Sequence, residues 1–165
     1  MAGINAQVSL KGSFEPMIKG FSDKSQRGII RGALRRTAQQ TVLKAAKKNL
    51  ISVGGGKYKK GLTVKTSVTN TKAEARIGGK RGTEIGRLGH LIERETDPHV
   101  IRVRRKGVMV GRKDGIFYGA VAQHPGTRAR PWLNPAMDDN RGKVMDKFGD
   151  LVREEIAKAV AKGKR

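Results

Sequence analysis

Three histidines and two neighbouring glutamates are the side chains of this sequence with the most obvious capacity for chemistry. His90, His99 and His124 are its only histidines, and no two stand at a metal-ligand spacing or beside a carboxylate cluster. Each is better explained as a turn or surface residue than as a ligand. Glu93 and Glu95 stand two apart and share a face only where the chain is extended. A general acid–base pair is conceivable there, but a salt bridge with nearby arginines is the stronger reading. The chain has no cysteine, which excludes disulfides, thiolate metal sites and cysteine nucleophiles. Gly56-Lys57 is followed by tyrosine, so the Walker spacing is absent, and no Gly-x-Ser-x-Gly elbow exists. Nothing assembles a nucleophile with a base, and the chain reads as a non-enzyme with no cofactor, no metal and no small-molecule substrate.

Charge is the stronger signal. Among 165 residues there are 36 Lys and Arg against 14 Asp and Glu, a formal net charge of +22. Such an excess repels itself in an isolated monomer and favours a polyanionic neighbour or acidic protein partners. Only 4% of residues are aromatic, too few for base-stacking platforms, so any nucleic-acid contact should be to phosphates through Lys and Arg. Tyr58 and Tyr118 are isolated, while Phe14, Phe21, Phe117 and Phe148 sit at positions that suit a core. No apolar run is long enough to span a bilayer, and the N-terminus lacks a secretory pattern; synthesis and assembly in the cytoplasm are expected.

The elements that must position these residues form a single α+β domain: an antiparallel sheet of about four to six strands, packed by a long N-terminal helix and a C-terminal helix, with extended basic loops. A weak alternation from Asn5 to Leu10 predicts a short strand, and Ser13-Phe14-Glu15-Pro16 suits a capped helix start. Residues 24–50 carry the clearest helical pattern. Ile30, Leu34, Ala38, Val42, Ala45 and Ala46 make one apolar stripe, and the opposite face bears Arg27, Arg31, Arg35, Arg36, Lys44, Lys47 and Lys48. Residues 51–61 read as a flexible, basic, glycine-rich loop that orders only against something else. Residues 62–123 form a β-rich region, opening with a hairpin of Leu62 to Val68 and Lys72 to Gly78 around Asn70-Thr71. Ile85 to Ile92 is a short helix or a bent strand. His99 to Arg105 and Val108 to Val110 suggest a second hairpin, turning at Lys106-Gly107, and Ile116 to Ala122 a further strand. The last helix spans residues 134–162.

Between the last strand and that helix lies His124-Pro125-Gly126-Thr127-Arg128-Ala129-Arg130-Pro131-Trp132-Leu133-Asn134-Pro135-Ala136. Pro125-Gly126 fits the centre of a type II turn, because proline presets φ and glycine supplies a positive one. Pro131 biases Arg130 towards an extended conformation. Trp132 and Leu133 are apolar anchors, Asn134 can cap the helix, and Pro135 suits its first turn. Trp132 could pair with Arg130 as cation and π system, but a core plug is the better expectation.

The string HPGTRARPWLNPA resembles the hPGT…PFL.PA signature of the head–tail connector proteins, the neck and tail-completion proteins of long-tailed double-stranded DNA phages. Leu88-Gly89-His90-Leu91-Ile92-Glu93 resembles that family's short apolar element ending in a glutamate, and the run from Gly61 to Val68 its "G-L…S-V" strand. These segments occur in the family's order and span most of the chain. One departure is that Arg94-Glu95-Thr96 follows Glu93 where the family has Gly-Thr.

The resemblance implies a virion protein of the phage neck or tail. Copies of the chain would form a closed ring, typically a hexamer, that completes the tail and joins it to the DNA-filled head. Its partners would be further copies, the adjacent head-closure and tail-tube or terminator proteins, and genome DNA passing through the channel, with no membrane involved. The motif residues are then Glu93, His124, Pro125, Gly126, Thr127, Pro131, Trp132, Leu133, Pro135 and Ala136. The candidate channel-lining or inter-subunit contacts are Lys57, Lys59, Lys60, Arg102, Arg104, Arg105, Lys106, Arg112 and Lys113. Charge alone leaves an alternative, a basic architectural DNA-binding protein without a virion role.

Overall fold

The computed structural model describes residues 5–10, 20–69, 72–103, 107, 109–110, 115 and 117–163. Its first strand, β1 (Asn5–Leu10), is followed by α1 (Asp23–Ala38), a π-helical stretch (Gln39–Leu43) and α2 (Lys44–Ser52), which together run as one long helix. A 3₁₀ helix (Gly56–Gly61) leads into β2 (Leu62–Val68), β3 (Ala73–Gly79) and α3 (Glu84–Glu93). Four short strands come next: β4 (His99–Arg102), β5 (Met109–Val110), β6 (Phe117–Gly119) and β7 (Val121–His124). The chain ends in α4 (Asn134–Asp138) and α5 (Arg141–Ala161).

The fold is α+β, with long helices near both ends as expected. The sheet is smaller and divided. Among the described residues, β1, β3 and β2 form a three-stranded antiparallel sheet in that order, while β4–β7 and β5–β6 are separate two-stranded pairs. The predicted hairpin of residues 62–78 is present, with Leu62 opposite Gly79 and Val68 opposite Ala73. The second predicted hairpin is not seen among the described residues, where β4 pairs with β7 and β5 with β6. The single strand expected over residues 116–122 is two strands, broken at Ala120. Pro16 and its predicted helix start, the Asn70-Thr71 turn, and Arg104, Arg105, Lys106, Arg112 and Lys113 lie outside the described residues.

The long helix crosses β2 and β3 and packs along α5. The apolar stripe is right in direction, with Leu34, Ala38, Val42 and Ala46 fully buried. It omits Leu43, because the π stretch fits one extra residue into the turn and brings Thr41, Val42 and Leu43 to the core in succession. Thr37 and Thr41 hydroxyls donate to the carbonyls of Ala33 (2.9 Å) and Thr37 (2.8 Å), so their burial leaves no polar atom unpaired. Leu50, Ile77, Trp132, Leu133, Phe148, Leu151 and Val152 complete the core.

Residues 51–61, read as a flexible loop, are ordered by local bonding. Gly54, at φ +79°, ends α2, and the Gly54 and Gly55 amides donate to Ile51 and Leu50 carbonyls at 3.0 and 2.7 Å. A Cβ on Gly55 would stand 2.6 Å from Leu50 Cδ1, so only glycine lets the 3₁₀ turn close on the helix. The ambiguous segment after β3 is helical: Thr83 caps α3, its hydroxyl accepting from the Gly86 amide at 3.3 Å. The C-terminal helix is interrupted at Asp139-Asn140, where Asn140 Nδ2 donates to the Ala136 carbonyl at 2.9 Å. Phe117, expected in the core, is 74% exposed, while Phe148 is buried.

Candidate functional site

Glu93 is the last residue of α3 and only 3% exposed. A carboxylate so buried needs donors. Its Oε2 accepts from the Trp132 amide (2.9 Å) and the Leu133 amide (2.8 Å), and its Oε1 from the Asn134 amide (2.8 Å). Three consecutive N–H groups therefore cradle one negative charge at the start of α4, where unpaired amides and the helix dipole both favour an anion. Among the described residues Glu93 makes no salt bridge with an arginine, as had been expected; its partners are these three amides. Nor does Asn134 cap the helix: it is the first helical residue, Leu133 is the N-cap without a side-chain bond, and Glu93 supplies the acceptor from elsewhere in the chain. Pro135 does occupy the first turn, as expected.

The rest of the corner is tied to α3 and to α2. Trp132 is 1% exposed and its indole N–H donates to the Gly89 carbonyl at 3.3 Å, so it is a core plug rather than a cation–π partner on the surface. The Arg130 amide donates to the Ile92 carbonyl (2.8 Å), and Asn49 Nδ2 on α2 to the Trp132 carbonyl (3.3 Å). Leu133 and Ala136 are fully buried beside it.

Upstream, Gly126 has φ +81°, the left-handed value its turn position demands, and its amide donates to His124 Nδ1 at 3.1 Å. Thr127 and Thr96 exchange both backbone hydrogen bonds, at 3.0 and 3.1 Å, and their hydroxyls meet at 2.8 Å. Thr96 thus serves this turn although Gly-Thr does not follow Glu93. His99 and His124 face each other in the β4–β7 register and stack with ring centroids 4.9 Å apart. Neither they nor His90 join a ligand set: among the described residues no three His, Asp or Glu side chains gather around a common point. All ten motif residues, from Glu93 to Ala136, therefore lie along one corner.

Beside the corner is a groove of about 700 Å³ between the 3₁₀ helix, α3 and the β4–β7 pair. Leu88, Leu91, Ile92 and Ile101 give it an apolar floor, and Lys57, Arg128 and Arg130 its basic rim; among the described residues no carboxylate lines it. Lys57 Nζ stands 4.7 Å from the centre of the Tyr58 ring. Of the candidate contact residues, Lys57 reaches this groove, Lys59 and Lys60 are exposed on the 3₁₀ helix, and Arg102 is exposed on β4. The structure does not bring Arg102 into the groove.

Two features escaped the sequence. One is the Glu93 cradle, whose partners are 39 to 41 residues away. The other is a basic cleft between α1 and α5, lined by Lys24, Arg27, Arg31, Lys158 and Lys162. The i, i+3, i+7 spacing on α1 was a visible signal, but which residues of α5 face it depends on the antiparallel packing of the two helices. No helix among the described residues is long and apolar enough to cross a membrane. Compared with models of protein families, with curated proteins and with solved structures, the chain finds no match.

Proposed function

We propose that this chain is a structural subunit of the neck or tail end of a long-tailed double-stranded DNA phage, assembling into a ring that joins the tail to the DNA-filled head. The observation that carries this reading is the Glu93 cradle. The two segments that most resemble the connector family, the apolar element ending in Glu93 and HPGTRARPWLNPA, are separate in sequence yet form one hydrogen-bonded corner. The surface supports an assembly role. A two-stranded antiparallel pair is at best marginal without a partner, and on β4, β6 and β7 the side chains of Val100, Ile101, Phe117 and Val121 are 38–74% exposed. Neighbouring copies would cover them in a heterologous contact that closes by rotation.

The test is the mass of the purified chain by light scattering across a concentration series, with negative-stain images of the largest species. Closed rings of uniform diameter are expected, alone or with the neighbouring head- and tail-completion proteins. A strict monomer that binds none of those proteins would overturn the reading.

A further inference from the structure

The cleft between α1 and α5 gathers positive side chains from both helices. It holds about 660 Å³ and lies between the N-terminal half of α1 and the C-terminal half of α5. Among the described residues five cationic side chains, Lys24, Arg27, Arg31, Lys158 and Lys162, line it against one carboxylate, Glu155. That carboxylate is engaged, at 3.0 Å by Arg36 and at 3.1 Å by Lys158. The fold thus gathers like charges that repel one another.

Glycine placement sharpens the picture. Gly32 is explained by packing, since a Cβ there would stand 3.2 Å from Glu155 Oε2. Gly28, one turn earlier on the same face, has nothing within 4 Å of its Cβ position and yet lines the cleft. A mid-helix glycine weakens the helix, and among the described residues nothing packs against this one. It leaves the helix surface open to an incoming group.

We propose that this cleft binds the phosphate backbone of duplex DNA without reading its sequence. Lys24, Arg27 and Arg31 form a row about 10 Å long at the helical rise, the axial rise of about three phosphates along one strand. Lys158 and Lys162 face the same opening from α5. Among the described residues no aromatic lines the cleft, so its lining offers phosphates cationic partners and unpaired bases no stacking surface. Such binding does not depend on ring formation, and its loss would leave the oligomeric state unchanged.

The experiment is fluorescence anisotropy of labelled duplexes of about 20 base pairs, in two unrelated sequences, titrated with the full chain between about 50 and 200 mM salt. Equal affinity for both sequences is expected, with a steep salt dependence. The triple variant K24A/R31A/K158A should bind at least about tenfold more weakly and lose about 0.9 of log–log salt slope for each contact removed. The variant K44A/K47A/K48A removes the same charge outside the cleft and should change both by much less. G28L keeps every charge, fills the cleft floor and should weaken binding several-fold. Equal losses in the two triple variants would show that net charge alone binds, and would overturn the assignment. Binding unaffected by both K24A/R31A/K158A and G28L would overturn it too, as would tighter binding of single strands or equal competition by polyglutamate.

Discussion

At the scale of single residues, Glu93 matters most, as an acceptor rather than an acid. Glu93→Gln leaves one acceptor oxygen where two served three amides and turns an NH₂ group towards donors. It should destabilise the chain by about 3 kcal/mol in urea unfolding, since bonds to charged groups are among the strong ones. Trp132→Ala should cost about 3–5 kcal/mol in the same assay; an unchanged midpoint would mean the indole is not buried. Glu74 is a second buried carboxylate, bonded at 2.8 Å to Lys72 and 2.7 Å to Arg76, which hold its carboxyl below the usual glutamate range. A depressed folded pKa gives stability that is fully present above the unfolded value, about 4.3, and is lost as pH falls through the lower folded value. Glu74→Gln should therefore flatten the acid limb of a stability–pH curve. The turn and anchor residues were legible in sequence, because Gly126, Trp132 and Pro135 obey local rules. Glu93 was singled out only by resemblance, and its bonding was not legible, because nothing local distinguishes a carboxylate that bonds its neighbours from one that reaches Trp132.

At the scale of elements, the three-stranded sheet and the β4–β7 pair should behave differently. β3 is central and carries Ala75 and Ile77 into the core, whereas every residue of β4 is exposed. In hydrogen exchange on the dispersed protein, β4 and β7 amides should exchange at least about tenfold faster than those of β3, with the difference shrinking on assembly. Uniform protection would show that the pair needs no partner. The same contrast explains what could be read. Residues 62–68 and 72–78 alternate in sequence, and Leu62, Ala73, Ala75 and Ile77 lie in the core, which fixes register and made the hairpin visible. His99 to Arg102 alternates with neither face buried, so the sequence says that a strand forms but not what it pairs with. The π stretch was hidden for another reason: a 3.6-residue period cannot show where an extra residue is absorbed.

At the scale of the whole molecule, charge sets the terms. With +22 formal charges, repulsion should limit stability at low ionic strength, and salt should relieve it as the screening length falls from about 10 Å at 0.1 M to about 3 Å at 1 M. The melting temperature should rise with sodium chloride over that range; a fall would mean that attractive pairs such as Arg36 with Glu154 and Glu155 outweigh the excess. Composition announced this charge but not its placement, since Lys24 and Lys162 meet only once α1 and α5 are packed.

Because Glu93 and the Thr96–Thr127 bridge fasten the chain where it leaves α3 and again where it enters α4, the strands between them hang from a tied neck. Closing a longer loop costs only about 0.6 kcal/mol for each doubling of its length. The segment between the ties can be lengthened, shortened or exchanged while the helices and the three-stranded sheet keep their packing. Under the proposed assembly role, one core can then carry arms fitted to different neighbours.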